Sequence, residues 1–173
     1  MSELRYWHPS RDPYHCGFRM LLATYKASPA VLSLAKLSLL DLYILFPHYL
    51  RELEGLPRQV RRSLTALRLP ARKDSYVILP DIRLVYRELQ PLQRATYQGL
   101  VAKRFFSMAD ARASNARLIV ENVPFPLLER VKRKLEVESE YFDFLVQKIG
   151  SMPLDGNEGL LRKAHLELGG GLR

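Results

Sequence analysis

Residues 30–50 constrain the fold of this chain more than any other segment, because they are apolar on almost every side of a helix. Ser33 can cap the start of that helix and Pro47 can stop it, which predicts a helix over residues 34–46. A helix that is apolar all round has to be buried on all sides, inside a core or between a core and a partner. It is also too short to cross a bilayer, which takes about 20 residues.

Charge within this segment is confined to two side chains, Lys36 and Asp41. Their spacing does not make them neighbours on a helix, where residues three or four apart meet. We therefore expect each of them to mark an edge of the buried surface.

The balance of charge over the whole chain narrows the possible partners. The chain has 173 residues, a net charge of +9 and a pI of about 9.8. Such an excess of positive charge favours contact with nucleic acid, an anionic membrane or an acidic partner. A single cysteine excludes an internal disulfide framework, and no stretch is long and apolar enough to be a signal peptide or a membrane span. We therefore expect a soluble, cytoplasmic protein that does not enter a membrane.

Helical periodicity predicts several more helices. Asp12 and Pro13 are suited to start a helix that runs to about Lys26 and carries one apolar stripe. Further helices are predicted over residues 57–69, after the cap Asp81, over residues 92–103, and twice beyond residue 126, with a short helix in the tail. Pro91 either divides or kinks the helix that Asp81 begins. The stripe of the first helix consists of Tyr14, Phe18, Leu21, Leu22 and Tyr25.

Two segments change from helical to extended periodicity. Residues 104–108 and 116–121 are strand candidates, and the residues between them are polar and small. Helices followed by a β-hairpin are typical of a winged helix, with residues 92–103 as its third helix. The sequence therefore predicts a mainly α protein, a small helical domain with a winged-helix-like β-hairpin. Its predicted parts are an N-terminal arm (1–11), a helical core (12–122), and C-terminal helices with a tail (123–173).

No arrangement of residues in the sequence predicts catalysis. His15 and Cys16 are adjacent on a helix, where neighbours point about 100° apart, so a buried thiol beside an outer imidazole is expected. The four histidines are far apart, which leaves no zinc spacing. Asp81 directly precedes a helical stretch, so we expect it to cap that helix and not to act as a carboxylate of a nuclease site. We therefore expect no enzyme activity, no metal and no cofactor.

A basic segment lies between residues 56 and 73, which contain no acid. Clustered cations without local acids suit phosphate contacts, but they also suit a solvated face, and the sequence leaves both open. A second cluster after residue 129 is interrupted by glutamates and indicates an ordinary charged surface. The candidate nucleic-acid contacts are Arg58, Arg61, Arg62, Arg68, Arg72 and Lys73.

Three groups of residues resemble a known family. They are Asp12-Pro13-Tyr14-His15 with Phe18-Arg19, Leu37-Ser38-Leu39-Leu40-Asp41 with Leu45-Phe46-Pro47, and Glu88-Leu89-Gln90-Pro91-Leu92-Gln93 leading to Gly99-Leu100-Val101-Ala102-Lys103. Over about the first 120 residues, the chain resembles the middle components of bacterial three-component ABC systems, which include the Lamassu anti-phage systems. The resemblance implies a kleisin-like or accessory subunit that bridges an SMC-like ABC ATPase and a nuclease-type effector.

Two hypotheses follow for the function. In the first, the chain is an assembly subunit of a DNA-sensing defence complex and contacts double-stranded DNA without sequence preference. In the second, it is a free-standing winged-helix transcription regulator that reads bases through Gln93, Arg94 and Gln98. The residues expected to bind partners in the first hypothesis are Tyr6, Trp7, Leu39, Leu42, Tyr43, Phe46, Tyr141 and Phe142.

Overall fold

The computed structural model describes residues 11–69 and 80–167 as a mainly α-helical structure. Tyr6, Trp7, Arg72 and Lys73 lie outside the described residues. The helices are α1 (Pro13–Ala27), α2 (Leu34–Leu45), α3 (Arg58–Ala66), α4 (Ile82–Ala102), α5 (Met108–Ala111), α6 (Phe125–Val137), α7 (Ser139–Asp143) and α8 (Leu160–Lys163). Two 3-10 turns (Pro47–Glu52 and Val120–Asn122) and a π-helical segment (Phe144–Ile149) complete the helical part.

The first two helices begin at the predicted caps. Asp12 accepts hydrogen bonds from the backbone N–H groups of Tyr14 at 2.7 Å and His15 at 3.2 Å. Ser33 accepts one from the N–H of Lys36 at 3.2 Å. These bonds satisfy donors that have no partner within the first turn of a helix. The predicted starts of α1 and α2 are confirmed.

Helix α2 packs against α1 and α4, which also pack against each other. Leu37, Leu40 and Leu42 are fully buried, as an all-round apolar helix requires. Lys36 is half-buried at the edge, where its ammonium donates to the backbone oxygen of Met152 at 2.8 Å. The expectation for Asp41 was wrong, because its side chain is fully buried among the helices.

Helix α4 is a single helix with Pro91 inside it. Proline lacks a backbone N–H, so it removes one helical hydrogen bond but does not divide the helix here. Beyond Pro91, Thr96 and Leu100 of α4 are buried beside Gly17 of α1, whereas Ala95 and Gly99 are exposed. A Cβ built on Gly17 would lie 3.5 Å from a methyl group of Thr96, so the two helices approach closely at this point.

The β-structure is smaller than predicted and is joined differently. Its two strands are antiparallel, β1 (Leu32–Ser33) and β2 (Asn115–Ala116), with Leu32 opposite Ala116. The two predicted strands meet at one bridge, Phe106 with Leu118, and α5 occupies part of the connection between them. The prediction of two full strands was therefore wrong in extent. Strand β1 was not predicted, because two residues are too few to show a period.

The C-terminal helices pack on the same apolar core as α1 and α2. The Tyr141 hydroxyl donates to the backbone oxygen of Tyr43 on α2 at 2.6 Å. Beyond the π-helical segment, the Lys163 ammonium donates to the backbone oxygen of Gly55 at 2.7 Å, which joins α8 to the loop before α3. Among the helices of residues 11–69 and 80–167, none is long and apolar enough to cross a bilayer.

Candidate nucleic-acid and partner surfaces

A buried polar cluster joins the three central helices. Arg19 of α1 donates through Nε to Asp41 Oδ1 at 2.6 Å and through Nη2 to Oδ2 at 3.4 Å. Gln93 of α4 donates to Asp41 Oδ2 at 2.8 Å and to the backbone oxygen of Ser38 at 3.0 Å. Arg19 is 6% exposed, and both Asp41 and Gln93 are fully buried. A buried charge needs such partners, because leaving water is costly for an ion.

This cluster removes one residue from the set proposed to read DNA bases. Gln93 is enclosed and points to Asp41, so it cannot reach a base from this position. Arg94 and Gln98 remain exposed on α4. The prediction of a buried thiol beside an outer imidazole is confirmed, since Cys16 is fully buried and His15 is exposed.

The Cys16 thiol should be inert in the folded protein. Burial, reinforced by the negative charge of Asp41, raises the pKa of Cys16 from 9.0 to about 12. Since the thiolate is the reactive form, we expect no modification by a thiol reagent at pH 8 in the time that labels the urea-unfolded chain fully. A raised pKa means that the folded state holds the proton more tightly. This contribution to stability is complete below about pH 9 and is lost as the pH rises toward 12.

The labelling experiment has a simple readout, the mass of the intact chain after quenching. One equivalent of label added within minutes under native conditions would contradict the buried position of Cys16. Labelling at the rate of global unfolding would agree with it.

Helix α3 presents the predicted basic face. Leu64 faces inward and is 8% exposed, whereas the four described arginines of this segment are all exposed. Arg61 donates weakly through Nη2 to the backbone oxygen of Leu53 at 3.4 Å. Within residues 11–69 and 80–167, none of the four forms an ion pair with a carboxylate. The four are Arg58, Arg61, Arg62 and Arg68.

Most of the side chains predicted to bind partners lie in the core of the chain itself. Leu39, Leu42, Tyr43 and Phe142 are fully buried, and Tyr141 is 8% exposed. Most of the apolar surface of α2 is covered by other parts of the same chain, so these five residues do not offer a partner surface in this conformation. Phe46, at the end of α2, is partly buried, and its ring packs edge-on against those of His48 and Tyr49.

A groove of about 940 Å³ runs along the outer side of α1. We call it the α1–α4 groove; helices α1, α4 and α6 and the end of α2 line it. Tyr14 at its border is 82% exposed and Phe18 is half-buried, although both belong to the predicted apolar stripe of α1. The stripe is therefore only partly covered by the protein core. The apolar lining includes Gly17, Phe18, Leu21, Ile44, Leu100 and Leu127.

The same groove is bordered by cations from two helices. Lys103 at the end of α4 and Arg130 on α6 are exposed, and neither forms an ion pair with another described residue. Lys134 also lines the groove and pairs with Glu138. No aspartate or glutamate is among its described lining residues. The sequence did not predict this site, because Lys103 and Arg130 are far apart in the chain and only the tertiary structure brings both to one groove.

Asp81 was considered above as a nuclease carboxylate, and the structure shows it at the start of α4. Asp81 caps α4 as predicted, accepting from the N–H of Arg83 at 2.7 Å. The hydrogen bonds of the Arg83 side chain and backbone hold the pKa of Asp81 down, at about 2. Within the described ranges, no three histidine, cysteine, aspartate or glutamate side chains come together in a way that could hold a metal ion.

These observations define a mainly α-helical protein with a basic helix and a cationic, apolar groove. A comparison with protein families matches residues 5–168 to the ABC-three component (ABC-3C) system Middle Component 5. The chain belongs to this family of middle components, and the match extends well past the first 120 residues that carry the resemblance described above. Comparisons with curated proteins and with solved structures found no match.

Proposed function

We propose that this chain is a non-catalytic subunit of an anti-phage defence complex. In this proposal it bridges an SMC-like ABC ATPase and a nuclease-type effector in the cytoplasm, in the manner of a kleisin or accessory subunit, and it contacts double-stranded DNA without sequence preference. Membership of the middle components of three-component ABC systems implies partner subunits. We propose that these partners are an SMC-like ATPase and a nuclease-type effector, and that the assembled complex contacts DNA.

The observation that carries the DNA contact is the basic face of α3. Arg58 and Arg62 are one helical turn apart, so both extend from the same side of the helix. Both are exposed, and neither side chain makes a hydrogen bond or an ion pair with a described residue. Such arginines can neutralise phosphates and release counterions, which gives affinity for DNA of any sequence.

The test is charge reversal on that face. We expect Arg58→Glu with Arg62→Glu to weaken binding of the assembled complex to random DNA and to reduce the slope of log affinity against log salt by about 2. The fold should be unaffected, because both side chains are exposed and neither has a hydrogen bond or an ion pair with a described residue to lose. Fluorescence anisotropy over a series of salt concentrations measures both quantities.

The matched control is Arg112→Glu with Arg133→Glu, two exposed arginines outside α3 that form no ion pair with a described residue and give the same change in net charge. An equal loss in both variants would assign the effect to the overall charge of the chain. An unchanged slope in the α3 variant would make its arginines a solvated surface and remove DNA contact by α3 from the proposal.

A free-standing DNA-binding regulator is the second candidate. It is favoured by the position of Arg94 and Gln98, which are exposed on α4 beside the segment that contains α5. A regulator of this type would bind one DNA sequence far more tightly than random DNA, as an isolated protein. The assembly subunit would show no such preference and would require its partner subunits for tight binding.

A further inference from the structure

The α1–α4 groove leaves apolar surface exposed where a helix would ordinarily be covered. Leu21, in the inner part of the α1 stripe, is 2% exposed, whereas Tyr14, toward its outer end, is 82% exposed. Exposed apolar surface bordered by polar groups is typical of a binding site for a protein. Tyrosine and arginine, both present here, are also enriched among residues that dominate binding energy.

Charge restricts what can occupy the groove. Lys103 and Arg130 come from different parts of the chain, lie on its border and form no ion pair with a described residue. With no carboxylate among the described lining residues, the local field is positive and attracts negative charge. Nucleic acid would satisfy the cations, but its sugar-phosphate backbone brings no apolar surface to cover Phe18 and Leu127.

We infer that the α1–α4 groove docks an acidic, apolar segment of a partner subunit of the same three-component system. The inference rests on the proposed function and adds the place and the chemistry of one partner contact. Apolar side chains of the segment fill the space over Phe18 and Gly99, and its carboxylates pair with Lys103 and Arg130. Complementary charge speeds and orients such an encounter, and the apolar contact holds it.

Gly99 provides a variant that alters the groove but not the fold. It lies on the groove side of α4, and a Cβ built on it would meet nothing within 4 Å. Gly99→Trp therefore fills the groove with a large ring from a helix position that tolerates a side chain. Gly99→Ala is the matched control, because it leaves the groove open and favours the helix.

The experiment measures assembly of the full-length chain with the other two components of its three-component system. We expect Gly99→Trp, and separately Lys103→Glu with Arg130→Glu, to raise the Kd of one partner about tenfold or more. Gly99→Ala and Arg133→Glu, the latter an exposed cation of α6 outside the groove, should leave the Kd within about twofold. An unchanged Kd in both groove variants, or an equal rise with Arg133→Glu, overturns the inference.

A crosslink identifies the occupant. Gly99→Cys labelled with a benzophenone maleimide places a photoreactive group in the groove, and the natural Cys16 is fully buried. The crosslinked peptide is expected to come from a partner and to combine aspartate or glutamate with apolar residues. A crosslink to DNA or to residues 1–10 of this chain overturns the inference. Failure of the wild-type chain to assemble with either partner would contradict the proposed function itself.

Discussion

Replacing Asp41 with alanine is expected to reduce the free energy of unfolding by about 3–5 kcal/mol, because it leaves the Arg19 guanidinium buried without its counter-charge. Arg19 is 6% exposed and its Nε lies 2.6 Å from the Asp41 carboxylate, so water cannot replace that partner without opening the core. Gln93 also loses an acceptor at 2.8 Å. Urea unfolding followed by circular dichroism measures the loss.

The double variant Arg19→Met with Asp41→Leu separates the ion pair from the packing around it. Removing both charges and keeping apolar volume should cost far less than Asp41→Ala alone, since no buried charge is left over. The exposed pair of Lys132 and Glu129 gives the control, and Glu129→Ala should change stability by less than about 1 kcal/mol. A loss for Asp41→Ala as small as that of the control would show that the cluster is not what joins the three helices.

Replacing Phe142 with alanine is expected to cost about 3–5 kcal/mol, and to do so in one unfolding transition. The ring is fully buried and lies edge-on to Tyr141, with ring centroids 5.5 Å apart. It belongs to the same apolar cluster as the residues of α1 and α2. A cavity at this position therefore weakens the packing of the whole core and not only that of the C-terminal helices.

The shape of the unfolding curve tests how the chain is divided. If residues 123–167 unfold together with residues 11–69, fluorescence and circular dichroism will give one midpoint, and Phe142→Ala will shift it without changing the slope. Two separate transitions, with only one shifted, would indicate an independent C-terminal unit. Val137→Ala, at a position 77% exposed on α6, should leave the midpoint almost unchanged.

Much of the helical structure could be predicted from the sequence because helix ends depend on nearby residues. Asp12, Ser33 and Asp81 each accept a backbone N–H two or three residues later, which is a local interaction that the sequence displays directly. The apolar periods of α1, α3 and α6 are equally local. The burial of α2 followed from its composition, since no polar face was available to meet water. The exposure of the arginines of α3 could also be predicted, because they lie on a different side of the helix from its apolar residues.

The sequence determined the helices, their caps, the basic face of α3 and the resemblance to the middle components. Only the tertiary structure decided that Asp41 lies inside the core and that β1 pairs with β2. It alone brought Lys103 and Arg130 together at the α1–α4 groove. The physical reason is that these features join residues far apart in the chain. Their positions depend on how whole helix faces pack, which no local period records.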